Sequence, residues 1–225
     1  MYNASIVDGE LQLLLYGDIG EGIFGEGITA GVVKNDLQRL SEPDTIHVRI
    51  NSPGGDVFEG IGIFNALKDD GRRVIATIDS LGASMASYIP LAAESIAIAD
   101  NAMMMIHSPW TMMVGNAAEI EAQLEPLKKA ETILVDQYVK SMGASDSEIR
   151  ELLAAETWYT ASEAVEAGLA SSITGDVGIA AAIVAENRFN NAPDAIKTVA
   201  ALDPPENARW RLAANQRRLR LTQGG

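Results

Sequence analysis

The 225-residue sequence contains no cysteine, which excludes a disulfide framework, a thiolate metal site and a cysteine nucleophile. Basic residues are also scarce: 17 lysines and arginines stand against 31 aspartates and glutamates, a formal charge of −14 with a pI near 4.5. A nucleic-acid binder needs a basic face to neutralise phosphates, so that class is set aside. No apolar run reaches the ~18–20 residues of a membrane-spanning helix. Met1–Glu10, with Asp8 and Glu10, lacks the basic start and apolar run of a signal peptide. A soluble cytoplasmic protein without a nucleic-acid or membrane partner is expected. No GxxxxGK[ST] string is present, so the chain is not expected to use ATP itself. No internal repeat is evident, and no cofactor or metal is expected.

With 47% hydrophobic residues, the chain can bury one sizeable core. Short apolar or β-branched runs at Leu11–Tyr16, Thr45–Ile50, Val74–Ile78 and Ser95–Ala99 predict strands. Between the early ones, Gly27–Leu40 and Val57–Leu67 carry apolar residues at helical spacing, the latter stopped by Asp69-Asp70-Gly71. The pattern is that of a layered α/β domain with crossover helices. A long amphipathic helix is predicted over Asn116–Met142, with Pro126 kinking it or dividing it in two, and Gly143 as its stop. A short helix at Asp146–Ala155, a strand at Thr157–Tyr159 and a capping box at Thr160–Glu163 follow, with Gly168 closing the last helix. Beyond Ile173 the composition turns alanine-rich to Ala185, then rich in Asn, Pro and Asp. Glu206–Gly225 has five arginines against one acid. The expected division is a domain at 1–175 and an extension at 176–225. The basic end is either a solvated face or a segment that folds back.

Three segments carry chemistry. Asn51-Ser-Pro-Gly-Gly55 follows a predicted strand, and its paired glycines either make an ordinary turn or free backbone N–H groups for an oxyanion. Ser80–Ser87 follows another strand. Gly82, Ala83 and Ala86 permit a sharp turn exposing Ser84, with the Met85 N–H facing a developing oxyanion; the competing reading makes Ser84 a helix N-cap. The third segment is Met103–Pro109. Of the two histidines, His47 sits in a Thr-Ile-His-Val-Arg alternation as a strand residue. His107 is therefore the candidate base, or else a hydrogen-bonded structural histidine. The methionines at 103–105 and 112–113 either line an adaptable site or fill core.

Together, NSPGG at Asn51–Gly55, ASM at Ala83–Met85, MIH-x-P at Met105–Pro109 and SEAVEAGLASSI at Ser162–Ile173 resemble the Clp protease proteolytic subunit family, over about Leu11–Ile173. The resemblance implies a crotonase-like layered α/β domain with a helical handle at Asn116–Met142, assembled as a homo-oligomeric ring, heptamer or tetradecamer, around a polypeptide substrate. It implies Ser84 as nucleophile, His107 as base, and the Gly55 and Met85 amides as oxyanion hole. Where the family places its aspartate, a gapless alignment from the SEAVEAGL run puts Glu156; Asp100 and Asp136 are weaker substitutes.

Only about ten residues precede the first predicted strand, and the family's longer axial-loop segment is missing, so dependence on a Clp ATPase partner is doubtful. With the extension beyond Ile173, the chain looks like the Clp-related proteases of phage and prophage head-assembly modules, which are thought to trim scaffold or capsid proteins. A crotonase-type acyl-CoA enzyme would share the fold without an attacking serine. A serine-lysine peptidase is disfavoured because no lysine lies between Lys68 and Lys128. An inactive ring-forming homologue, with Ser84 as a cap, is the non-enzymatic alternative.

Overall fold

A computed structural model describes residues 1–21, 27–175 and 189–193. The chain opens with a hairpin, β1 (Tyr2–Val7) and β2 (Glu10–Tyr16), turned by Asp8 and Gly9 at φ 51° and 83°. Two successive positive φ values suit the tight turn that right-twisted strands require. The residues expected merely to precede the first strand are therefore themselves an antiparallel edge strand. Two parallel crossover units follow: α1 (Ala30–Arg39) leads into β3 (Thr45–Ser52), and α2 (Val57–Asp69) into β4 (Arg73–Ala83). After a short helix, α3 (Met85–Tyr88), and a 3-10 turn at Ile89–Ala92 come β5 (Ser95–Ala99) and β6 (Met103–Ile106). The remainder is α4 (Ala117–Met142), α5 (Asp146–Ala154), β7 (Thr157–Thr160), α6 (Ala161–Glu166) and β8 (Ser172–Thr174).

The strand order is β1-β2-β3-β4-β5-β8, with β6 joining β4 to β7 off that path, the layered α/β architecture with a helical handle. The first half of β4 pairs with β3 and β5 in parallel register, and its last three residues, Leu81–Ala83, pair with Met103–Met105. This second pairing carries β4 well past Ile78, where its apolar alternation ends. It delivers the chain to Ser84.

Of the two outcomes expected at Pro126, a kink or a division into two segments, the division does not occur. α4 runs unbroken over 26 residues, opened by a reciprocal capping box between Asn116 and Glu119. Residues 114–126 are exposed, so water can take up the Ala122 carbonyl that Pro126 cannot satisfy. Gly143, at φ 68°, ends the helix as expected. Among the described residues, no helix is long and apolar enough to cross a membrane. The alanine-rich stretch to Ala185 and the arginine-bearing Glu206–Gly225 lie outside the described residues.

One face of the sheet is apolar. Leu11, Leu13 and Leu15 of β2, Ile46, Val48 and Ile50 of β3, and Val74, Ala76 and Ile78 of β4 are buried beneath the helices. Full burial of each large aliphatic side chain contributes about 1.5–3 kcal/mol. The opposite face is polar. The buried Asp79 carboxylate takes two guanidinium nitrogens of Arg49, at 3.0 and 2.5 Å, and the Tyr16 hydroxyl at 2.7 Å. His47 bonds Thr77 on the same face, a strand residue as expected.

Because Asp79 would be left charged and without its cation, Arg49→Ala is expected to lower unfolding stability by about 3 kcal/mol in urea titration. The same change in an Asp79→Asn background should be milder. Pro126→Ala is expected to stabilise α4 locally by up to ~3 kcal/mol, seen as slower hydrogen exchange of amides around residues 122–130.

Candidate active site

Where β4 ends, Ser84 has φ 54° and ψ −127°, a conformation that non-glycine residues rarely adopt. Its neighbours hold it there. The Ser84 N–H donates to the Met105 carbonyl at 2.8 Å, and the Ser84 carbonyl accepts from the Ser87 N–H and hydroxyl at 2.9 and 2.7 Å. Ser87 in turn bonds the buried Tyr138 hydroxyl of α4 at 2.8 Å. A hydroxyl three residues beyond Ser84 was visible in the sequence as a partner for this turn; Tyr138 left no sequence signal.

The Ser84 side chain makes no N-cap hydrogen bond. Its Oγ instead lies 2.8 Å from His107 Nε2. His107 directly follows β6, whose pairing with both β4 and β7 sets its position. The following turn is tied down by the Ser108 N–H on the Leu153 carbonyl and the Ser108 hydroxyl on Glu131. Burial holds the imidazole below the usual histidine value, and the nearby Glu156 carboxylate partly opposes that shift.

Asn51–Gly55 packs against this turn. A Cβ on Gly54, at φ 87°, would lie 2.6 Å from the Ser84 Cβ and the Ala83 carbonyl oxygen. Gly55, at φ 149°, is pinned by Ile19, whose N–H donates to the Gly54 carbonyl and whose carbonyl accepts from Asp56. Among the described residues, neither the Gly55 nor the Met85 N–H has a hydrogen-bond partner. The segment fits closely around Ser84, and Gly55 lines the same cleft.

Glu156 sits between α5 and β7 at φ 51°, nearly buried. Its carboxylate accepts from Trp158 Nε1 at 3.3 Å and from the Asn190 and Asn191 backbone N–H groups at 2.8 and 2.6 Å. Among the described residues, no hydrogen bond or ion pair joins it to His107. Asp100 and Asp136 are exposed and do not line the cleft. Ser84, His107, Glu156 and Gly55 line one cleft of about 530 Å³, together with Trp110, Phe189 and Asn190. A second recess of about 310 Å³ shares Gly55, Val57 and Trp110 with it and adds Met113 and Leu127. Met104 and Met105 are core, whereas Met112 is exposed. Among the described residues no group of three or more histidine, aspartate or glutamate side chains could hold a metal ion.

The family model for Clp protease matches residues 21–176. The chain is 33% identical over 128 residues to ATP-dependent Clp protease proteolytic subunit 1 of Protochlamydia amoebophila, covering 55% of this chain and 62% of that one. It is 32% identical over 141 residues to proteolytic subunit 1 of Chlamydia muridarum, covering 61% and 73%. With proteolytic subunit 2 of Treponema denticola it shares 30% identity over 164 residues, 72% and 80% of the two chains. The matched span carries Asn51–Gly55, Ser84, His107 and Glu156 on the fold described above, and the chain belongs to the Clp protease family.

Proposed function

We propose that the chain is a serine endopeptidase in which Ser84 attacks the carbonyl of a polypeptide substrate. The observation that carries this reading is the 2.8 Å contact between Ser84 Oγ and His107 Nε2 in a cleft that Gly55 also lines. As the serine oxygen bonds to the carbonyl carbon, its proton passes to Nε2, and the Gly55 and Met85 N–H groups receive the oxyanion. The imidazolium then protonates the leaving amine, and water hydrolyses the acyl-enzyme by the same route. Glu156 is the proposed carboxylate for the imidazolium, in place of the family's aspartate. No cofactor enters these steps.

The active unit is proposed to be a homo-oligomeric ring of residues 1–175, with 176–225 as an extension. Exposed Ile120, Leu124 and Ile133 on α4 and Met112 and Val114 just before it support a subunit contact there. Phage scaffold or capsid proteins are the proposed substrates, on the resemblance alone. The cytoplasm is the proposed compartment, with which a cysteine-free chain is compatible. The alternative, an inactive ring-forming homologue, is favoured by one observation: Glu156 makes no bond to His107.

A fluorophosphonate probe separates the two. Labelling at Ser84 is expected, lost in Ser84→Ala, and that substitution should slow peptide hydrolysis by roughly 10⁴-fold or more. An assembled, unlabelled wild-type protein would support the inactive reading. Since His107 must be neutral to accept the proton and burial lowers its pKa, activity should rise with pH along a limb below 6.5. A limb above that value in a pH–kcat/KM profile would contradict the base assignment.

A further inference from the structure

The segment 189–193 lies far along the chain from the active-site elements, yet it forms one wall of the cleft. Phe189 meets the His107 ring edge-to-face, with centroids 5.8 Å apart, and meets Trp158 in the same way at 5.5 Å. Its side chain packs on a small cluster of Leu81, Ala83 and Met105, separate from the main core. Asn190 and Asn191 each donate a backbone N–H to a different oxygen of the Glu156 carboxylate, and Asn191 Nδ2 donates to the Ala155 carbonyl at 3.0 Å. Trp158 occupies a further position on Oε1. Bonds from N–H groups to an ionised carboxylate are stronger than those between neutral groups, so this carboxylate is firmly directed toward the segment.

His107 is consequently held by Ser84 on one side and by an aromatic edge on another, while its expected carboxylate serves backbone amides. Among the described residues, Glu156, from the α5–β7 turn, is the charged group acting on the imidazole; Ser84 and Phe189 bring no charge. We propose that Phe189–Asn191 is a built-in strap that keeps Glu156 off His107, and that a polypeptide entering the cleft displaces it and lets the carboxylate join the serine-histidine pair. This rests on the peptidase reading above. Docked, the chain is a slow dyad. Undocked, it is a triad whose imidazolium has a counter-ion.

The test uses the full chain and two substitutions that act differently: Phe189→Ala removes the ring, and Asn191→Pro removes one N–H on Glu156. Because the strap packs outside the main core, both are expected to fold, which circular dichroism checks. The expected result is Ser84 labelling faster by about 5- to 30-fold in each, as the competent fraction grows. In a Ser84→Ala background, the His107 imidazole titration, resolved by NMR in a chain with only two histidines, should move to higher pH. That rise follows from lost burial and a gained carboxylate; labelling that speeds up equally in a Glu156→Gln background would reflect only a more open cleft and would overturn the strap. Labelling in the parent that both substitutions leave unchanged or slow overturns the strap while the peptidase stands. No labelling in any form overturns both.

Discussion

Everything around the cleft depends on one tight approach, Gly54 against the backbone at Ser84. A residue with a side chain at φ 54° needs its surroundings to hold it. Here they do so from three directions: the Met105 carbonyl from β6, Ser87 from α3, and the Gly54 backbone from the loop after β3. Only glycine allows that loop so close. Ile19 then fixes the loop from the far side, so the Ser84 turn and the Gly55 amide are positioned by the same few contacts.

The other organising contact is the Glu156 carboxylate, which sits at a second strained position, φ 51°. Among the described residues this carboxylate accepts three hydrogen bonds, none of them from the imidazole. The serine-histidine contact therefore exists without help from an acid, and a change at Glu156 is also a change in how residues 189–191 dock. Longer than aspartate by one methylene, glutamate can reach those amides from the α5–β7 turn.

Much of this was legible in the sequence, for local reasons. Parallel crossovers followed from alternating apolar strands and helical spacing, and the capping box at Thr160–Glu163 formed as its residue types require. Asp8-Gly9 was a hairpin signal between two β-prone runs, and attention to it would have found β1. β6 and β8 were harder. Met103–Ile106 is uniformly apolar and Ser172–Thr174 is three residues long, so neither shows a period. Ser84, His107 and Gly55 were legible because small residues and rare histidines mark them. Phe189 against His107 was not, since a contact across about eighty positions of chain leaves no local pattern.

The Ser87–Tyr138 hydrogen bond gives α4 a mechanical meaning. From Ile120 to Tyr138 the helix is a rod of about 27 Å, free in solvent at one end and fastened at the other to the hydroxyl that steadies the Ser84 carbonyl. Anything that leans on the free end, a second copy of the chain included, meets Glu131 and its bond to Ser108 first and Tyr138 behind it. Both anchors lead to the cleft, one to the loop after His107 and the other to the serine turn.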